Sequence, residues 1–202
     1  MPKVDLRKEL KHLYNPPRKN VTIVDVPPMS FLMVDGQGDP NTSQAYQQAL
    51  EALYATSYTL KFALKREGVD YPVMPPEGLW WTNDTDRLDL EAKDRWQWTM
   101  MIMQPEWVTS DLVQRVRQEV AQKKDLPALP KMRFESYHEG LSVQIMYVGA
   151  YADEGPTIAR LHAFAEARGY RLRGKHHEIY LSDPRRTAPE KLKTVIRQPI
   201  GK

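Results

Sequence analysis

The sequence contains no cysteine. That excludes disulfides and thiolate-bound metals, and it fits a reducing, cytoplasmic setting. No run approaches the ~20 apolar residues of a membrane-spanning helix. The charged start, Met1-Pro-Lys-Val-Asp-Leu-Arg-Lys-Glu-Leu10, has no apolar segment of a signal peptide. The net charge is only +3, so the pI near 9.0 reflects a slight lysine and arginine excess rather than a basic stripe. Nothing here requires a nucleic-acid or membrane partner. Catalytic and cofactor signatures are missing too. The turn Asp35-Gly-Gln-Gly-Asp-Pro40 lacks both G-x-G-x-x-G and a P-loop lysine. Gly140-Leu-Ser142 is not a nucleophile elbow. The histidines are His12, His138, His162, His176 and His177. The last two are adjacent and point to opposite faces of a strand, so they cannot chelate one metal together. His162 reads as a helix-surface residue. No metal and no cofactor are expected.

What is present is an ordinary globular composition, 41% hydrophobic and 27% charged over 202 residues, enough for one sizeable domain. Residues 1–20 read as a mobile basic lead-in arm, with Leu6, Leu10 and Leu13 able to form a short amphipathic turn before Pro16-Pro17. Residues 21–202 read as a single domain in two halves, 21–125 and 131–202, joined at 126–130. The first half opens with strands at 21–26 and 31–34. A helix follows at 43–66, capped by Asn41 or Thr42, with an apolar stripe from Tyr46 through Leu53 to Tyr58 and Phe62. Strands at 78–82 and 95–103 carry Trp80, Trp81, Trp96 and Trp98, and the acidic connection 83–94 reads as a mobile loop. A second helix spans 109–124. The second half has strands at 132–137 and 142–148, a helix from Pro156 to Gly169, and strands at 172–182 and 192–197 stopped by Gln198-Pro199, so the order strand, helix, strand, strand recurs. An offset of 100 sets Trp80 against Tyr180. The fold class is therefore α+β with two pseudo-symmetric halves.

The most informative stretch is Tyr170-Arg-Leu-Arg-Gly-Lys-His-His-Glu-Ile-Tyr-Leu-Ser-Asp-Pro184. On a strand, His176, Glu178 and Tyr180 share one face, while His177, Ile179 and Leu181 share the other. Ile179 and Leu181 are expected to face a packed core. Glu178 is expected on a sheet face that the helices leave uncovered, where the two halves meet in a concave site.

Asp35-Gly-Gln-Gly-Asp-Pro40, Tyr58-Thr-Leu-Lys-Phe-Ala-Leu-Lys65, Gly140-Leu-Ser-Val-Gln144 and, above all, His176-His-Glu-Ile-Tyr-Leu-Ser-Asp-Pro184 followed by Lys191-Leu-Lys-Thr194 resemble the GyrI-like small-molecule-binding family. The resemblance runs from Phe31 to Pro199. It implies two strand-helix-strand-strand units of the SHS2 type around a central ligand cleft. It also implies binding of bulky, hydrophobic, often cationic aromatic molecules. Related domains serve multidrug-sensing regulators, in which a buried glutamate similar in position to Glu178 meets the ligand's charge. The lead-in has no room for a DNA-reading domain. In that reading Trp80, Trp98, Tyr147, Tyr180 and His176 line the ligand and Glu178 pairs with it. Some stand-alone members are hydrolases that open the cyclopropane ring of cyclopropanoid genotoxins. For that alternative, Glu178 is the general base, with a pKa raised by desolvation, and Tyr147 or Tyr180 holds the substrate carbonyl. Tyr147 stands where close relatives are expected to have histidine.

Overall fold

The computed structural model describes residues 4–82 and 88–202. The chain begins with two short helices, α1 (Leu6–Glu9) and α2 (Lys11–Tyr14). Strands β1 (Thr22–Val26) and β2 (Met29–Gln37) follow, then α3 (Gln44–Arg66), β3 (Pro76–Trp81), β4 (Gln97–Gln104) and α4 (Ser110–Lys123). The second half runs β5 (Arg133–Tyr137), β6 (Gly140–Val148), α5 (Gly155–Glu166), β7 (Arg171–Leu172), β8 (His176–Tyr180) and β9 (Lys193–Gly201). The fold is α+β, as the sequence predicts.

Every strand pairing is antiparallel, and the main path reads β1-β6-β9-β8-β3-β4-β2-β5, with the short β7 on β9. This order is symmetric about the β8–β3 junction. At that junction Gly78 faces Glu178, with Leu79 opposite His177 and Glu77 opposite Ile179. Adding 100 to a β3 number gives its counterpart on β8, so the weak sequence offset of 100 is a real two-fold relation. The halves also exchange their first strands. β1 pairs with β6 of the second half, and β5 pairs with β2 of the first. Sequence periodicity carries no information about this swap.

Directly paired residues share a sheet face, so the register sorts the side chains. Helices α3 and α5 lie on the face of Glu178. Gln104, on that face, donates from Nε2 to Ser57 Oγ of α3 at 3.0 Å. Val143, Ile145 and Ile196, also on that face, pack against Ile158, Leu161 and Ala165 of α5. The expectation that Glu178 faces away from the helices is therefore corrected. The opposite face is covered by the N-terminal segment, whose Leu13 is 0% exposed and whose Tyr14 is also buried. Within this segment Leu13 and Tyr14 belong to the core and Leu6 and Leu10 pack half-buried against it, while residues 7–9, 11 and 12 are exposed. Residues 1–3 of the expected arm lie outside the described residues.

Smaller expectations also shift. Ser43, not Asn41 or Thr42, caps α3, accepting from the Tyr46 N–H at 3.3 Å. Thr109 caps α4, its hydroxyl accepting from the Leu112 N–H at 3.2 Å. Tyr58 and Phe62 are 47% and 50% exposed, because each four-residue step turns a helical row a further ~40° off the buried face. His162 is buried on α5 rather than exposed. β9 continues through Pro199, whose backbone faces Arg173 and needs only to accept there. The predicted loop at 83–94 falls partly on residues 83–87, outside the described residues; 88–96 pack as described below.

Beneath the sheet a buried ionic group joins the pieces. His177 donates from Nε2 to Glu77 at 2.9 Å and from Nδ1 to Glu139 at 2.9 Å. Arg197 Nη1 donates to Glu139 at 3.0 Å, and its Nη2 to the Leu13 carbonyl at 2.7 Å. The Tyr14 hydroxyl donates to Glu77 at 2.7 Å. Two carboxylates thus meet an imidazolium and a guanidinium. Burial alone would lower the His177 pKa, but the carboxylates of Glu139 and Glu77 overcome it and raise it to about 9. Burial would raise Glu139, but His177 and Arg197 hold it at about 2.

The stability from this group is full above the ordinary Glu139 value of 4.5 and below the ordinary His177 value of 6.5. It declines as pH rises through about 9. His177→Gln should cost about 3 kcal/mol near pH 6. In urea denaturation at several pH values, the gap between wild type and variant should narrow through about pH 9; a gap independent of pH would contradict a charged His177.

Candidate functional site

On the helix-covered face, strand alternation does what the sequence predicts and brings His176, Glu178 and Tyr180 together. Glu178 is 9% exposed. Its Oε1 lies 2.9 Å from His176 Nε2, and its Oε2 accepts the Tyr180 hydroxyl at 2.8 Å. An ionised carboxylate can only accept, so His176 carries its hydrogen on Nε2. Tyr180 in turn accepts the Trp80 indole N–H at 2.9 Å. Thus Trp80 and Tyr180, equivalent positions of the two halves, are joined directly over the two-fold junction.

Aromatic rings enclose this carboxylate. Tyr46, at the start of α3, lies 6.0 Å from the Trp80 ring and packs edge-on to Trp98 at 5.5 Å. Trp96 packs edge-on to Trp80 at 5.3 Å. Tyr151, in a 3-10 turn before α5 (Tyr151–Asp153), packs edge-on to Tyr180 at 5.7 Å. It forms the partly exposed outer rim. Residues 88–96 lie over the site, with the Trp96 indole donating to the Asp89 carbonyl at 2.6 Å and Leu90 reaching Gly155. Two glycines make room for the rings. A Cβ at Gly36 would come within 2.1 Å of Trp98, and one at Gly78 within 2.5 Å of Trp80 Nε1. Trp80 and Trp98 are buried and packed within the core. Among the described residues, Trp98 Nε1 and His176 Nδ1 have no hydrogen-bond partner.

Sequence reading missed one member. Glu154, the N-cap residue of α5, does not cap its helix. It is buried, and its carboxyl reaches hydrogen-bond distance of Glu178. Two touching carboxylates in a dry site cannot both ionise. Burial and then the charge of Glu178 raise Glu154 to about 11, so it is a carboxylic acid at neutral pH. Burial would raise Glu178 as well, but hydrogen bonds from His176, Tyr180 and Glu154 bring it below the ordinary glutamate value. The raised pKa expected for Glu178 therefore belongs to Glu154. Tyr147, expected in the site, shares this sheet face across β9, since both it and Tyr180 pair with Thr194. Its hydroxyl donates to the Ala150 carbonyl at 2.8 Å, so its proton is committed to holding the β6–α5 connection. No group of three or more metal-ligating side chains occurs among the described residues. No helix among them is long and apolar enough to cross a membrane.

A family model, the GyrI-like small molecule binding domain, matches residues 19–200. The chain belongs to this family. No curated protein matches it significantly. Among solved structures, this GyrI-like chain is similar to an uncharacterized conserved protein from Listeria innocua, at 39% identity and a TM-score of 0.90, covering 98% of this chain and 100% of that one. It is also similar to two proteins from Listeria innocua named hydrolases. One is 37% identical with a TM-score of 0.85, covering 98% and 100% of the two chains. The other is 38% identical with a TM-score of 0.86, covering 99% and 100%.

The bridging hydroxyl gives a direct test of the site's wiring. Tyr180→Phe leaves the Trp80 indole N–H unpaired and removes one donor from Glu178. It should cost about 1–3 kcal/mol in urea unfolding and raise the Glu178 pKa followed by carboxyl-carbon NMR. An unmoved Glu178 titration would contradict the hydrogen bond.

Proposed function

We propose that this GyrI-like chain binds a bulky, hydrophobic, aromatic small molecule carrying positive charge between the helices, against Glu178. The observation that supports this most is the state of Glu178. It is held ionised by three donors inside a wall of aromatic rings, with no lysine or arginine among the described residues bonded to it. Ring faces attract a cation by roughly 0.5–2 kcal/mol, and a carboxylate in a dry site adds a stronger charge partner. Entry requires residues 88–96 and the Tyr151 rim to move aside, turning the closed site into a cleft. The cationic class and the roles of Trp80, Trp98, Tyr180, His176 and Glu178 belong to this proposal.

A second reading is favoured by the carboxyl pair and by the similarity to two proteins named hydrolases. Here the substrate is an electrophilic cyclopropanoid, and the activity is detoxification. Water attacks the strained carbon while Glu178 takes its proton. The ring carbon–carbon bond breaks, and its electron pair moves to a conjugated carbonyl, which is protonated by Glu154. Water is added overall. A carboxylate with a lowered pKa is a weak base, and the Tyr180 proton is already given to Glu178, so binding remains the first reading.

Glu178→Gln should weaken a flat cationic dye by about tenfold or more, a loss of roughly 1.4 kcal/mol, and a neutral analogue of the same shape hardly at all. Tryptophan fluorescence titration measures both; equal losses would sink the charge-partner role. Mass spectrometry of a cyclopropanoid after incubation decides the second reading. A hydrated, ring-opened product formed over many turnovers and lost in Glu178→Gln means an enzyme.

A further inference from the structure

We infer that Glu154 and Glu178 hold one proton between them, and that a cationic ligand entering the site in alkaline solution expels it, so that the pair changes from one negative charge to two. This rests on the reading that the site takes cationic molecules. The geometry comes first. Both carboxyls are buried and within hydrogen-bonding reach of each other, although they lie on different elements, the N-cap of α5 and the centre of β8. Glu178 spends its oxygens on His176, Tyr180 and Glu154. Glu154 Oε1 has no partner at hydrogen-bond geometry among the described residues, with the Thr194 hydroxyl beside the carboxyl. Glu154 also sits at the N-terminus of a 12-residue helix, where the macrodipole favours an anion. With the site empty, the negative charge of Glu178 overrides that preference and keeps Glu154 protonated. A positive ligand charge cancels the opposition, and the helix end then favours the carboxylate.

The groups facing the pair from the surrounding elements do not compete for this role in neutral to moderately alkaline solution. Burial pushes Tyr46 and Tyr180 above the ordinary tyrosine value and Tyr151 to about 12, and it raises Tyr147 as well. All four stay neutral. Lys93, in the segment above the site, places a further positive charge near Glu154. His176 is tied to Glu178 through Nε2.

The sign follows from linkage. Free Glu154 is protonated below about 11. An adjacent cation lowers a carboxyl pKa by about 1–3, which brings the bound value down from about 11 to about 8 to 10. Between those limits each bound cation releases up to one proton, and its affinity rises by as much as about tenfold per pH unit. A neutral ligand shows no such slope.

The test uses the full chain, a flat cationic dye and its neutral analogue. Affinities are measured by tryptophan fluorescence from about pH 7 to about pH 10, with proton release followed by an indicator in weak buffer. An infrared spectrum of the unliganded protein near neutral pH looks for a buried carboxylic acid. The expected result is an acid band that Glu154→Gln removes, proton release with the cationic dye alone, and affinity for that dye rising with pH. In Glu154→Gln, which mimics the protonated acid, the dye's affinity should be flat across pH. If that variant does not fold, the wild-type contrast between the two dyes carries the test. No acid band means no shared proton, and the inference fails whatever binds. An acid band with cation affinity independent of pH overturns the coupling. An acid band with no binding of either dye overturns the reading of the site itself, and the coupling with it.

Discussion

The pairing of β3 with β8 is the constraint on which the rest depends. These strands meet at the centre of the sheet and at the junction of the two halves, with Gly78 opposite Glu178. Strand alternation then divides five consecutive residues between two tasks. His176, Glu178 and Tyr180 face the helices and build the candidate site. His177 faces the other way and closes the ionic group with Glu77, Glu139 and Arg197, while Ile179 packs into the core. A one-residue slip in this register would exchange the two sets and place apolar Ile179 where Glu178 stands. The ionic group beneath the sheet therefore fixes the register that the site above it requires.

The two-fold relation explains why the site is lopsided. Trp80 and Tyr180 are equivalent and bond across the junction, but Glu178 has Gly78 as its counterpart. One half supplies the carboxylate. The other gives up its side chain so that Trp80 and Met100 can close over the junction. Likewise Glu77 and His177 are equivalents that have become acid and base partners. A repeated scaffold brings equivalent positions together at its axis, and divergence at those positions turns contact into chemistry.

Much of this was legible in the sequence, for identifiable reasons. The face shared by His176, Glu178 and Tyr180 follows from strand parity alone, and the aromatic density at 80–98 marked the neighbouring strands. Glu154 was not legible. Ahead of Gly155-Pro156 a glutamate reads as a polar helix start, and only the packing of α5 on the sheet turns it toward Glu178. Tyr46 hid in the same way, since a stripe at helical spacing gives no sign that its first residue ends over a carboxylate. The exchange of β1 and β5 was invisible because a short strand before a tight connection reads as half of a local hairpin. The direction of the Glu178 pKa also lay beyond the sequence. Burial and three donors act in opposite directions, and only their geometry decides which wins.

The two buried acidic clusters invite comparison, because only one is complete. Beneath the sheet, Glu77 and Glu139 are matched by His177 and Arg197, and the hydroxyl of Tyr14 fills the remaining acceptor. A buried group with its charges matched and its bonds made holds a structure together and has little left to offer a ligand. Above the sheet, the partners bonded to Glu178 are a histidine, a tyrosine and a carboxylic acid. Polar atoms of Glu154, His176 and Trp98 stay unpaired among the described residues. Leaving such atoms unpaired costs about 1–3 kcal/mol each, and the fold already satisfies an equally buried cluster one strand layer away. The unmet bonds and charge above the sheet are what an incoming cationic, hydrogen-bonding molecule would supply, which is the physical reason to place function on that face and structure on the other.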